Sequence, residues 1–289
     1  MHDHGAMSSP PRRHYGGLLF LLLIALLAWA LIDGALRIPD RWNPFAPLRI
    51  DDTPNLLTRY KLDRASADPA ACREALAQAD MRYQPMEDRV TGEGCGFDNA
   101  VRISRTSGAV GEAFSLSCRA ALSLAMWERH SLQQAAQAHL DSPVARIEHF
   151  GSYSCRNLYG REGGRRSRHA TADAFDIAGF VLEDGRRVRV LGDWGEAGAA
   201  PPATAVGDAT AASEREEIAA AAPASRDSAS APERDETSTP EAPVSDEAAF
   251  LRAVRDGACQ WFDAVLGPDY NAAHADHFHF DRGGGRICR

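Results

Sequence analysis

The chain has no C-x-x-C pair among its six cysteines, which argues against a cysteine zinc site and a thioredoxin-like redox centre. It has no basic stripe of the kind that grips a phosphate backbone, so nucleic acid is not an expected partner. Large apolar residues are almost absent from 196–246, where Ala, Pro, Ser, Thr and Glu dominate. Such a stretch cannot bury enough surface to offset its ordering entropy, and it is too long for a loop inside a compact domain. It reads as a disordered acidic insertion. Its eleven acids and three bases carry −8, which matches the formal −8 of all 289 residues and leaves the remainder near zero.

What is present begins with an apolar run. Arg12, Arg13 and His14 precede GGLLFLLLIALLAWALI, Gly16 to Ile32, about 17 residues, the short end of a membrane span. Basic residues before such a run hold the N-terminus in the cytoplasm and send the rest across. The expected organisation is a cytoplasmic tail (1–15), an anchor (16–36), a Pro-rich stalk (37–67) and a domain formed by 68–195 and 247–289 around the insertion. A signal peptide cleaved near Ala28 to Ala30 is the competing reading. Cys72, Cys95, Cys118, Cys155, Cys259 and Cys288 all lie outside the anchor and the insertion, as expected for three disulfides in an oxidising compartment. Six cysteines allow fifteen pairings; Cys72–Cys95, Cys118–Cys259 and Cys155–Cys288 are the expected set.

Asp68-Pro69 opens a helix as N-cap and first helical residue. CGFDNAVRI reads as a short extended piece. SLSCRAALSLAMWERHSLQQAAQAHL has helical spacing with a break near His130 and Ser131. VARIEHFGSYSCR alternates like a strand, and AFDIAGFVLEDGRRVRVLGDW is two strands around an Asp184-Gly185 turn. EAAFLRAVRDGACQWFDAVLG is a helix ended by Gly267-Pro268, and DHFHFDR is the last strand. The class is α+β: helices first, packed on a small antiparallel sheet that carries a metal site.

Chemistry concentrates in two places. SRHATADAFDI holds His169, Asp173 and Asp176. HADHFHFD ends the chain's polar pattern. On a strand His277, His279 and Asp281 share one face, and Asp276, Phe278 and Phe280 the other. Two aromatics on one face are core; two histidines opposite are costly to bury without partners. Zinc catalysis wants three His or carboxylate ligands and an open water position. His169, Asp176 and one histidine of the last strand supply that set, and His277 is then the natural unligated base. Asp173 reads as an outer or solvent residue.

SRHATADAFD resembles the S-x-H-x-x-G-x-A-x-D signature of the zinc peptidases that include lysostaphin, the D-Ala-D-Ala carboxypeptidases and the hedgehog signalling domain, with Ala172 in place of the usual Gly. HADHFH is similar in spacing to penicillin-insensitive murein endopeptidases. GSYSCRN, SRHATADAFDIAGFVLEDG, the stretch from Phe250 to Arg282 and the closing CR resemble the bacterial extensin-like C-terminal domain family, from about Cys72 to Arg289 without the insertion. The resemblance implies that His169, Asp176 and His279 bind zinc. It implies His277 as base with Asp276 as rival, Arg156 as a substrate clamp and His274 as a further site residue. The implied function is a zinc peptidase acting on peptidoglycan stems, anchored in the inner membrane with its domain in the periplasm. A non-catalytic wall-binding module and a hydrolase of another envelope amide or ester are the alternatives.

Overall fold

The computed structural model describes residues 15–35, 38–195 and 244–289. The segment expected to form a cytoplasmic tail, up to residue 14, and nearly all of the expected insertion lie outside the described residues. Helix α1 (Tyr15–Ile32) is followed by α2 (Thr58–Ala67), α3 (Pro69–Leu76), β1 (Arg82–Pro85), β2 (Arg89–Gly92), β3 (Cys95–Phe97), β4 (Ala100–Arg105) and β5 (Ala109–Ser117). Then come α4 (Cys118–Trp127), α5 (Gln133–Leu140), β6 (Val144–Gly151), β7 (Ala174–Leu182), β8 (Arg187–Arg189) and the short α6 (Val190–Asp193). The chain closes with α7 (Asp246–Ala258), β9 (Ala264–Leu266), β10 (Phe278–Asp281) and β11 (Ile287–Cys288).

The mixed α+β class holds, but the sheet is not small. Nine strands run in the order β1-β4-β5-β6-β7-β10-β9-β11, with β8 also paired to β7; β2 and β3 form a separate ribbon. Nor is it purely antiparallel, because β6 meets β5 and β11 meets β9 in parallel. Strands of two to four residues such as β9 and β11 are too short to show alternation, which is why they escape a periodicity reading. The segment expected to continue α7 to Gly267 instead leaves the helix after Ala258 and becomes β9.

Several local expectations hold. The Asp68 side chain accepts from Ala71 N, and Pro69 starts α3. The break near His130 is a π-turn, Glu128–Leu132, between α4 and α5. Gly185 in the β7–β8 turn has φ +88°, a conformation that glycine adopts without steric cost. β10 presents Phe278 and Phe280 to the core, both fully buried. Phe280 meets Trp127 at 5.3 Å and Phe262 at 5.1 Å between ring centroids. Each such ring contributes roughly 2–3 kcal/mol by leaving water, so the core fixes which way β10 faces.

The stalk is corrected. Leu48 and Ile50 are buried in the main core together with Leu62 and Ala65 of α2. Arg282, just after β10, donates to Asp63 of α2 at 2.9 Å. Residues from about Ala46 onward therefore belong to the domain. Their apolar positions are irregularly spaced, so pattern alone does not mark them as core. Among the described residues no helix is long and apolar enough to cross a membrane. The 18 residues of α1 rise about 27 Å, just short of a ~30 Å hydrocarbon layer. Leu18 to Ile24 are nonetheless exposed in an unbroken run.

All six cysteines are paired, in none of the expected combinations: Cys72–Cys118, Cys95–Cys155 and Cys259–Cys288. Each bond joins elements that packing brings together. Cys72 on α3 meets the first residue of α4, Cys95 on β3 meets the loop after β6, and Cys259 at the end of α7 meets β11. Their Cα separations of 6.1, 5.5 and 5.8 Å are ordinary for a disulfide. Tertiary proximity decides pairing, and spacing along the chain does not carry it.

Glu128 in the π-turn is buried, and one of its oxygens, Oε1, has no partner among the described residues. Burial raises its carboxyl from 4.5 to about 7, against hydrogen bonds from Thr106 and Ser107 that lower it. The folded state therefore holds this proton more tightly than the unfolded chain. Its contribution is fully present below about pH 4.5 and is lost as pH rises toward about 7. We expect Glu128→Gln to gain up to roughly 3 kcal/mol over the native chain at pH 8, shrinking to nothing near pH 4. Urea unfolding at both pH values checks this; a gap that does not change with pH refutes it.

Candidate metal centre

The β7–β10 ladder builds the centre. Asp176 lies opposite His279 in the antiparallel register, with Ile177 opposite Phe278 and Phe175 opposite Phe280. With both phenylalanines in the core, His279 must point to the other face, where Asp176 already projects. His169 arrives from a short 3₁₀ turn, Arg168–Thr171, whose N-cap Ser167 accepts from His169 N at 3.3 Å.

The three residues expected as ligands converge. His279 Nδ1 is 2.9 Å from Asp176 Oδ1, His169 Nε2 is 3.1 Å from Asp176 Oδ2, and the two imidazoles approach at 3.2 Å. Their nearest donor atoms all lie within 4.8 Å of one another. A zinc tetrahedron with bonds near 2.05 Å has ligand–ligand edges of roughly 3.3 Å, so the set fits such an ion with shifts of a few tenths of an ångström. The outer partners fit too. His169 Nδ1 donates to the Ser152 carbonyl at 3.0 Å, which leaves Nε2 for the centre. His279 Nε2 meets Asp281 Oδ2 at 3.2 Å, which leaves Nδ1 for the centre. Histidines that ligate metals are oriented in this way by a carbonyl or carboxylate on the other nitrogen.

The electrostatics follow. Burial opposes the charge on Asp176, but hydrogen bonds from His169 and His279 more than reverse this and hold its carboxyl well below the usual range. Burial likewise disfavours protonated His279, yet its hydrogen bonds to Asp176 and Asp281 raise it to about 9. Without an ion, His279 is a cation held between two carboxylates.

His277 does not sit in β10 as expected, since the strand starts at Phe278. Its ring still reaches the centre, with Nε2 3.8 Å from Asp176 Oδ1. Its Nδ1 donates to Asp276 Oδ1 at 2.8 Å. Asp276 thus fixes the tautomer of His277. Phe150 stands edge-on to His277 at 5.8 Å. His274 is buried, and its Nδ1 donates to Asn271 Oδ1 at 2.7 Å. Burial, with His279 and His277 close by, lowers it to about 4. It is therefore neutral at pH 7, with the Nε2 lone pair free to accept. Arg156 is exposed on the rim of the same cleft, which encloses about 540 Å³. Its chain neighbour Cys155 is tied to Cys95.

Asp173 is neither solvent-facing nor a neighbour of the triad. It is buried and accepts from Ser117 Oγ at 2.5 Å, Arg119 Nε at 2.7 Å and Thr171 Oγ1 at 2.7 Å. It locks the turn that carries His169 onto the start of α4. Sequence reasoning also missed Ser152, Asn271 and the role of Asp281. Asp281 was legible from its place two residues after His279. Ser152 acts through a backbone carbonyl, which no residue type signals.

A family model described as extensin-like protein C-terminus matches residues 70–213 and 235–289. It enters the segment read as an insertion from both sides. No curated protein and no solved structure matches the chain.

Two outcomes follow from this geometry. Asp173→Ala strands Arg119, Ser117 and Thr171, and is expected to cost about 3 kcal/mol in urea unfolding; a loss under 1 kcal/mol would contradict the locking role. Zinc bound by the three would displace the proton on His279 Nδ1, so at least one proton should leave per zinc near neutral pH. Apparent affinity should then rise about tenfold per pH unit toward about pH 9 and flatten beyond. Calorimetry in buffers of different ionisation enthalpy reads this directly, and a pH-independent affinity refutes it.

Proposed function

The chain belongs to the extensin-like protein C-terminus family, and from that premise and the convergent triad we propose a zinc-dependent peptidase that cleaves the peptide stems of peptidoglycan. The observation that carries the reading is the meeting of His169, Asp176 and His279, with the unligated His277 beside them. Zinc held by the three would polarise a scissile carbonyl and acidify a water. His277 takes the proton of that water at Nε2, because its Nδ1 is committed to Asp276. The His274 Nε2 lone pair accepts a substrate N–H, since its Nδ1 is committed to Asn271. Arg156 on the rim holds a substrate carbonyl or carboxylate. The exposed apolar surface of α1 attaches the domain to the inner membrane, with the three disulfides on the oxidising, periplasmic side.

One observation favours a second reading. His279 bridges Asp176 and Asp281 without an ion. Such a bridge suits a wall-binding module that keeps the centre for shape.

The deciding experiment incubates the oxidised, zinc-loaded chain with purified peptidoglycan and identifies products by mass, beside His169→Ala. New peptide termini that vanish in the variant support the peptidase. No products from fully zinc-loaded protein would move the conclusion to the binding module. In the peptidase, His277→Ala should lose about 10²–10⁴-fold in rate while keeping zinc. Asp276→Asn should lose less, because it removes orientation and leaves the base in place.

A further inference from the structure

The cleft over the triad is lined by five arginines: Arg156, Arg165, Arg166, Arg168 and Arg286. The acids that line it are Asp176 and Asp281, and both are turned to His279. Among the described residues none of the five arginines makes an ion pair. Arg166 alone has side-chain hydrogen bonds, to the Glu93 carbonyl and Asn157 Oδ1. Outside the acidic segment the chain is close to neutral, so five unneutralised guanidinium groups around one cleft are a local concentration of charge and not a background. They stand on two lips. Arg156, Arg165 and Arg168 come from the loop that follows β6, and Arg286 from the loop between β10 and β11. The lips approach at Gly284, where an added Cβ would lie 3.3 Å from Asp281 Oδ1 and 3.9 Å from Arg168 Nε. Beside it, a Cβ at Gly285 would meet nothing within 4 Å.

Resting on the peptidase reading, we infer that this cleft selects an anionic peptide, a stem whose carboxylates are free and not amidated, gripped from both lips by Arg165, Arg168 and Arg286. Guanidinium groups meet carboxylates in paired, charge-assisted hydrogen bonds. A cleft lined by one sign of charge also concentrates the opposite charge at its mouth. An amidated stem offers the same peptide bonds and the same shape without the charge, so it isolates this effect.

The probe is a dye-labelled stem tetrapeptide, L-Ala-γ-D-Glu-diaminopimelate-D-Ala, in free-acid and fully amidated forms. Its binding to the zinc-loaded, disulfide-intact full chain is read by fluorescence anisotropy. The free acid should bind at least tenfold tighter, and this advantage should shrink as salt rises. Arg165→Gln and Arg286→Gln change exposed residues; with zinc content unchanged, each should weaken the free acid several-fold and leave the amidated form unaffected. Equal affinity for the two forms, equal weakening of both by the variants, or no binding of either overturns the inference. The binding readout needs no turnover. Discrimination without cleavage of peptidoglycan would sink the peptidase and keep the inference; cleavage without discrimination would do the reverse.

Discussion

The register between β7 and β10 decides whether this molecule has a centre at all. Asp176 faces His279 because four residue pairs of the ladder hold that alignment. Side chains alternate faces along a strand, so a slip of one residue would turn His279 toward the core and Phe280 toward the cleft. Phe278 and Phe280 forbid that slip, since their burial against Trp127, Trp194 and Phe262 is lost with it. The polar chemistry is therefore positioned by apolar packing on the opposite face of the same strand. His169 is placed by different means. Its 3₁₀ turn is held from behind by Asp173, whose carboxylate binds Ser117 and Arg119 at the head of α4, and by the Ser152 carbonyl on its Nδ1.

Ala172 shows how tightly that turn is drawn. It follows the 3₁₀ turn in the left-handed region, with φ 54°. This is the position where the resembling signature carries Gly, and the conformation gives the reason. A Cβ there costs roughly 1–2 kcal/mol. Ala172 is also fully buried against Phe97 and Ala100, and burying one methyl returns about 0.8 kcal/mol. Burial thus returns part of the cost, so alanine is tolerated where the signature carries glycine. Larger side chains would meet the same backbone strain and a filled pocket.

The centre was more legible than the fold around it. His169, Asp176 and His279 carry their chemistry in residue type and spacing, and a period of two places Asp281 beside His279. Caps and turns such as Asp68-Pro69 and Asp184-Gly185 act through neighbours in sequence, so they too could be read. Disulfide pairing, the parallel contact of β11 with β9 and the burial of Leu48 and Ile50 depend on residues far apart in the chain. Nothing local distinguishes Cys118 bound to Cys72 from Cys118 bound to Cys259. The placement of His277 was not legible: a period of two puts it on the strand face of His279, yet it precedes the strand and reaches Asp176 from the loop.

The pairing that builds the centre also sets the sign of the field above it. Asp176 and Asp281 both face His279. Protonated His279 offsets one of their two negative charges, and the five arginines of the cleft outnumber the one that remains. The mouth therefore stays positive. A divalent ion replacing the His279 proton would add to that charge. The proposed selection of anionic peptides therefore does not depend on whether a proton or a metal occupies the centre. The proposed catalysis would depend on which of them is there, and recognition needs only that the two carboxylates remain engaged at the centre.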